Sequence, residues 1–271
     1  MSNTQLYRTI PPARKVPEFD SDYQAILDYA TAEGYTLPSA PVQTAQNQLL
    51  LDLKSAGVWA KLDSFANLAT DGSPDFALID WKRLITMQAV NAPAFTVNQG
   101  FKGNGTSAYI NTNFTPSTDG VNYALDSCSF GYYAFSVLDT SNTNINIGSR
   151  TSVSPNIGLT YPRGLNETTL FINSSSTFSS TITTSSRLGI RHFSRVLSNR
   201  NEFYDDTGFV GSNANPSSEL SEQPFYLFAL NNQGTASFHT LTDISFYFAG
   251  GDLTQEHPAF NSALKTYMSS I

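Results

Sequence analysis

The sequence predicts a mainly β protein: an antiparallel β-sandwich over residues 95–250, preceded by a small N-terminal helical unit and closed by a C-terminal helix. Three observations carry this. Between Phe95 and Phe248, short apolar runs such as SAYINTNF, YALDSCSFGYYAFSV, RLGIRHFSRV, FYLFAL and DISFYFAG alternate with turn-forming stretches such as NQGFKGNG, TPSTDG, VGSNANPSS and NNQG. No helical period separates them, which favours a sandwich over a parallel α/β sheet. Only 14% of the residues are charged, against about 25% in ordinary soluble domains, and Ser, Thr and Asn crowd the second half. With 40% hydrophobic and 13% aromatic residues, a chain of 271 can bury a core without metals or disulfides.

Residues 1–20 carry Pro11, Pro12 and Pro17 with the basic trio Arg8, Arg14 and Lys15 and show no period, so they read as an extended arm. An arm must lie on something: its own domain, as a strap, or another subunit. From Ser21, a candidate cap, Tyr23, Ile26, Leu27 and Ala30 recur at helical spacing up to Gly34. A second helix is expected over about 42–56, with Leu49, Leu50 and Leu53 on its apolar side and Gly57 as its stop. VWAKLDSFANLAT then offers Trp59, Leu62 and Phe65 at helical spacing, and FALI reads as a short buried strand after the break at Asp71, Gly72 and Pro74. Residues 21–94 are therefore a helical lead-in to the sandwich.

In DISFYFAG, simple alternation puts Ile244, Phe246 and Phe248 on one face and Ser245 and Tyr247 on the other. Residues 251–271 form a last helix that packs back, with Thr254 as a cap, Pro258 in the first turn, and Phe260, Leu264, Tyr267 and Met268 as an apolar stripe.

A net charge of -7 with no long basic stretch offers no footprint for a phosphate backbone, so nucleic acid is not an expected partner. The single cysteine, Cys128, has no partner for an intramolecular disulfide and reads as a small core residue. No cofactor motif and no zinc-like Cys/His spacing occur. No run of roughly eighteen apolar residues is present, so membrane insertion is not expected. The first twenty residues lack the pattern of an export signal, and the expectation is synthesis in a cytoplasm.

Acid/base chemistry on a glycoside needs two converging carboxylates. Glu202, Asp205 and Asp206 are the densest acidic group of the β region; as a strand they read as a solvated end, or as a metal or sugar contact. The E-x-D-x-x-E and E-x-D-x-E runs by which sandwich glucanases space their carboxylates along a strand are absent. His192, His239 and His257 are scattered and lack a nucleophile elbow, so no hydrolytic triad is expected. Arg187, Arg191 and Arg195 differ by even steps, so one strand would carry them on one face as a basic ridge running to Arg200. Such a ridge makes ion pairs with a neighbouring strand, an intersubunit contact or an anionic-glycan site. Tyr132, Tyr133, Tyr161 and Tyr204 are candidates for stacking on sugar rings.

Two stretches carry a family resemblance: SAGVWAKLDSFANLATDGSPDFALIDWKR with FKGNGTSAYINTNFTPS, and PFYLFALNNQGTASFHTLTDISFYFAGGDLTQEHPAFNSALKTYM. They resemble bacteriophage virion proteins with a concanavalin A-like, LamG-type jelly roll. The matching positions are Gly103 to Thr106, Tyr109, Thr112 to Phe114 and Gly251 to Met268, in the expected order over most of the chain after about residue 21. The resemblance implies a non-enzymatic virion component, of a head fibre, tail or decorated capsid, made in the host cytoplasm, with no catalytic residue carried over. Many sandwiches of this type bind calcium and carbohydrate, but no acidic loop here offers a calcium ligand set.

Three functional readings follow. In the leading one, the arm docks the chain on other virion proteins through Tyr7, Arg8, Ile10, Arg14 and Lys15, the protein is oligomeric in the particle, and the sandwich faces outward for host attachment. In the second, the chain is a lectin-like module that recognises host surface glycans through tyrosines and the Arg187, Arg191 and Arg195 ridge. In the third, it is a divergent polysaccharide hydrolase or lyase, which requires a carboxylate or His/Tyr pair in one cleft.

Overall fold

The computed structural model describes residues 19–136, 144–151, 159–163, 167–174, 180–183 and 188–271. The arm residues Tyr7, Arg8, Ile10, Arg14 and Lys15, and Arg187, lie outside them. Helices α1 (Ser21–Ala32), α2 (Ala40–Ser55) and the short α3 (Val58–Lys61) lead into strand β1 (Leu62–Asn67). After α4 (Pro74–Ala77) come β2 (Ile79–Asp80), β3 (Ile85–Thr86), β4 (Gln88–Val90), β5 (Ala94–Thr96), β6 (Gly100–Lys102), β7 (Tyr109–Asn111) and the short α5 (Pro116–Asp119). The chain continues through β8 (Cys128–Ala134), β9 (Ile147–Arg150), β10 (Leu159–Arg163), β11 (Glu167–Phe171), β12 (Ser180–Thr183), β13 (Gly189–Leu197), β14 (Arg200–Asp205) and β15 (Gly208–Asn213). It ends with β16 (Tyr226–Leu227), β17 (Leu230–Asn232), β18 (Thr235–Ser237), β19 (Asp243–Gly250) and helix α6 (His257–Ser270).

The helical stripes bury as their spacing predicts. Tyr23, Ile26, Leu27 and Ala30 of α1 and Leu49, Leu50 and Leu53 of α2 are all buried. The cap of α1 is Asp20 rather than Ser21: its carboxylate accepts the Asp22 N–H at 2.9 Å, next to the positive end of the helix. Gly57, at φ 74°, ends α2 in the left-handed conformation that an L side chain rarely adopts. Gln46, fully buried, ties three helices together: it accepts the Tyr23 hydroxyl at 2.7 Å and donates to Tyr267 of α6 at 3.3 Å.

Two segments of the lead-in depart from expectation. Leu62 to Asn67 is a strand, every residue of it buried, hydrogen-bonded to β19. A bulge at Asp63 puts Leu62 and Phe65 on one face, which imitates a helical spacing in the sequence. The Asp63 carboxylate then accepts the backbone N–H groups of Val121, Asn122 and Tyr123. FALI is not a strand: Pro74 to Ala77 is a single helical turn capped by the Ser73 hydroxyl, and β2 begins only at Ile79.

The described ladders form two large sheets. One has eight strands in the order β15-β14-β13-β8-β19-β6-β5, with β1 also on β19; the other has six, in the order β18-β17-β9-β16-β7-β4. A three-stranded sheet, β10-β11-β12, and the β2-β3 pair complete them. The pairings are antiparallel apart from β9 with β17. Phe130, Phe193, Phe203, Phe225, Leu227 and Tyr247 fill the space between the large sheets. The opposite face of the eight-stranded sheet, with Phe65, Phe246 and Phe248, is covered by α1, α2 and α6, so the molecule has three layers. Burying each such side chain contributes about 1.5–3 kcal/mol, and the Phe248 and Phe260 rings meet edge to face at 4.8 Å to seat α6.

Alternation in β19 breaks at one point. A register shift between Ile244 and Phe246 turns Ile244 towards the sandwich core with Tyr247 and Ala249, while Phe246 and Phe248 face the helices. All of them are buried, because this strand has a packed layer on each side.

Candidate functional site

The two described members of the arginine ridge, Arg191 and Arg195, form no surface. Arg191 and Arg195 share a face of β13, as the even spacing requires, but that face is the interior: they are 4% and 0% exposed. Arg195 donates to the carbonyls of Ile172, Leu197, Ser198 and Asn215, and the Arg191 guanidinium lies 5.5 Å from the Phe203 ring centre. The spacing was informative about faces and silent about which face met water, since the helical layer and the second sheet cover both. Arg200 is half exposed, paired with Glu202 at 2.7 Å.

The tyrosines named from sequence are likewise occupied. Tyr132 is in the sandwich core, and Tyr133 packs edge to face on Phe246. Tyr204 donates to Glu202 at 2.6 Å and stacks on His192; the side chain of Tyr161 lies outside what is described. In the acidic group, Asp205 is fully buried and accepts the Thr207 N–H and hydroxyl, while Asp206 pairs with Lys265 at 3.1 Å. These carboxylates are tied to separate partners and do not converge on one point.

Two of the scattered histidines meet. His192 of β13 and His257 of α6 face each other Nδ1 to Nδ1 at 3.0 Å, and His192 Nε2 lies 2.7 Å from the Ser194 hydroxyl and 3.0 Å from that of Ser129. Both rings are sealed from solvent, and burial lowers both below the ordinary imidazole range. A Ser/His set with no opening to solvent cannot receive a substrate, so it ties α6 to the sheet. Their separation of 65 residues left no local pattern to read.

The surface best suited to a ligand is the outer face of the six-stranded sheet. Ile110, Leu227 and Ile147, paired across β7, β16 and β9, point into the core. One step along, Gln88, Asn111, Tyr226, Gly148 and Leu230 form a transverse row on the other side. Ile145 and Phe171 cover the Leu230 end. At the β4-β7-β16 end, Tyr109 stacks on Tyr226 with ring centres 4.5 Å apart, and His239 stands 6.2 Å from Tyr109. Tyr109 and Asn111 are half-buried and Gln88 is exposed. Asn111 spends its carbonyl oxygen on the Asn113 N–H at 2.9 Å, which leaves its amide hydrogens to donate outward. Tyr226 is itself buried, and burial, with the Tyr109 hydroxyl beside it, raises its hydroxyl above the usual phenol range. Aromatic faces flanked by primary amides can take an apolar ring face and its hydroxyls together.

Among the described residues, no group of three or more His, Cys, Asp or Glu is placed to hold a metal, and no helix is long and apolar enough to cross a membrane.

No family model matches the chain, and no curated protein matches it. Solved structures share its fold. A mutant of Trypanosoma rangeli sialidase displaying trans-sialidase activity is similar over 83% of this chain and 39% of its own, at 13% identity and a TM-score of 0.53. Trypanosoma rangeli sialidase in complex with sialic acid is similar over 82% of this chain and 39% of its own, at 11% identity and a TM-score of 0.52. The binding domain of botulinum neurotoxin serotype D is similar over 76% of this chain and 52% of its own, at 11% identity and a TM-score of 0.50. The class of protein is thus a β-sandwich of the kind these chains contain, with small helices at both ends; the chain spans about two fifths of the length of the sialidases.

These similarities correct the leading expectation from sequence. The fold is shared with sialidases and a toxin binding domain, which overturns the assignment as a bacteriophage virion structural protein. The residues behind that assignment serve general sandwich needs. A side chain at Gly103 would strike the Thr240 carbonyl at 2.2 Å, and Asn104 accepts three successive backbone N–H groups, from Thr106, Ser107 and Ala108.

Proposed function

We propose that this protein is a non-catalytic carbohydrate-binding module that holds a neutral sugar ring against the Tyr109 and Tyr226 end of the six-stranded sheet. The observation that carries the reading is the stacked tyrosine pair flanked by Gln88 and Asn111 on a sheet face that the helical layer does not cover. The sugar's C–H face would lie on the aromatic edge, and its hydroxyls would meet the two amides. Fold neighbours with glycan ligands, such as the sialidase bound to sialic acid, support the class of ligand. A neutral sugar is favoured over an acidic one because the two described arginines expected to receive an anion are in the interior. The non-catalytic reading is supported by the carboxylates: Glu202, Asp63 and Asp80 are each spent on Arg200 and Tyr204, on backbone N–H groups, or on Arg83.

Glycan-array screening of the full chain, followed by calorimetric titration of the best neutral glycan, tests this. Binding above background that Tyr109→Ala weakens about tenfold, the equivalent of about 1.4 kcal/mol, is the expected result. An array with no signal, or equal affinity in wild type and Tyr109→Ala, overturns it.

A further inference from the structure

The buried histidine pair has a determined proton arrangement. His257 Nε2 lies 3.0 Å from the Asp205 carbonyl oxygen, which only accepts, so Nε2 carries a hydrogen. In the neutral ring, His257 Nδ1 is then a bare lone pair, and the facing His192 Nδ1 must donate to it. That leaves His192 Nε2 to accept from the Ser194 hydroxyl at 2.7 Å. Ser129, 2.6 Å from Ser194, in turn accepts the Leu253 N–H at 2.9 Å. One directed chain of hydrogen bonds therefore runs from the 251–254 segment through β8 and β13 into α6 and on to the end of β14.

An added proton has no good place in this chain. At His257 Nδ1 it would set two donors against each other at 3.0 Å. At His192 Nε2 it would force both serine hydroxyls to turn and leave an imidazolium with no carboxylate in hydrogen-bond reach. The groups packed around the pair do not compensate. From β14, Tyr204 stacks on His192 at 5.3 Å and lies tilted against His257 at 4.9 Å, and Glu202 is held by Tyr204 and Arg200. At the end of β14 Asp205 is tied to Thr207, and in the turn after it Asp206 to Lys265; both carboxylates favour the His257 cation, but burial outweighs them. From the start of α6, Glu256 pairs with Lys61 at 2.7 Å, and Phe248 of β19 offers only a ring edge to His192.

We infer that His192 and His257 form an acid-operated latch: neutral, they fasten α6 to the eight-stranded sheet, and protonated, they release it and bare the aromatic face of Phe65, Phe246 and Phe248. Burial already holds both imidazoles below their ordinary range. The depressed values fix the sign: the contribution to stability is present above the unfolded imidazole value of about 6.5 and is lost as pH falls below it towards the folded values. This latch is independent of the sugar face, which belongs to the other sheet.

Hydrogen–deuterium exchange of the full chain between pH 8 and pH 5, corrected for the intrinsic pH dependence of exchange, tests it. The expected result is at least a tenfold loss of protection in 257–270 at pH 5, while the β8–β13 ladder stays protected. His257→Gln, which keeps a donor for the Asp205 carbonyl and leaves His192 as the one ring of the pair that can take up a proton, is expected to lose clearly less protection at pH 5 than wild type. Protection of α6 that does not change with pH, an equal loss in His257→Gln, or loss across all strands at once would overturn the latch. Should His257→Gln fail to fold, imidazole NMR of the wild type decides: two coupled titrations below the ordinary range support the latch, and two independent ordinary ones refute it.

Discussion

Arg195 Nε lies 2.9 Å from the carbonyl oxygen of Ile172, to which Nη2 also donates, and Nη1 is spent on the carbonyls of Leu197, Ser198 and Asn215. A fully buried cation with four backbone acceptors works as a cross-brace, joining β13 to the segments on either side of it. Removing it strands those carbonyls without water, and leaving buried polar groups unpaired costs about 1–3 kcal/mol each before relaxation. Arg195→Ala is expected to lower unfolding stability by about 3 kcal/mol or more in urea titration. Arg195→Lys recovers little, because one ammonium cannot reach carbonyls that a planar fork spans. A loss below about 1 kcal/mol for Arg195→Ala would refute the brace.

The fold was legible where one rule decided the outcome. The stripes of α1 and α2 follow a single period and fold as that period requires, and the apolar runs bounded by turn residues after Phe95 supply strands of the two large sheets. The reading failed where two layers compete for one strand. Leu62 and Phe65 look helical because a bulge at Asp63 restores a spacing of three, and Ser245 shifts the alternation of β19 in the same way. Of the candidate sites, the shared face of Arg191 and Arg195 was visible and its burial was not, since burial depends on elements far away in sequence. The Tyr109 and Tyr226 pair and the His192 and His257 pair come from residues with no local relationship, so only the assembled sheets bring them together.

Asp80 is a second place where one side chain holds several segments. Fully buried, it accepts from the Ser64 hydroxyl at 2.6 Å, from Arg83 Nε at 2.7 Å and from the Lys82 and Arg83 N–H groups at 3.0 and 3.2 Å. Arg83 passes the connection on to the carbonyls of Thr112 and Asn113. Breaking a buried pair by removing one partner costs about 3–5 kcal/mol, so Asp80→Ala should fall in that range by chemical denaturation. Asp80→Asn should cost nearly as much, because its amide hydrogens would face Arg83 Nε–H at one oxygen's place or the Lys82 and Arg83 N–H groups at the other's, none of which can accept. Arg83→Met should be milder, since Arg83 is partly exposed and Asp80 keeps its other donors. If Asp80→Asn matched wild type, the carboxylate charge would not be what the site uses.

Cys128 offers a test with a defined pH sign. Its thiol is fully buried on β8, receives the Asn173 amide at 3.3 Å, and is pushed by burial up to about 12. In the unfolded chain an ordinary thiol ionises near 8.5, so a proton held longer in the folded state makes stability fall as pH rises above that value. Each pH unit in that window costs about 1.4 kcal/mol, hence about 2 kcal/mol between pH 8.5 and pH 10. Buried tyrosines such as Tyr247 titrate higher in the folded state too, so the difference between wild type and Cys128→Ala isolates the thiol. Urea titrations of both at pH 8.5 and pH 10 should show wild type losing about 2 kcal/mol more than Cys128→Ala. The native thiol should also resist alkylation at pH 8 and react once the chain is unfolded. Equal losses in the two chains, or rapid labelling of the folded protein, would mean that the cysteine reaches water and that the core between the two sheets opens at β8.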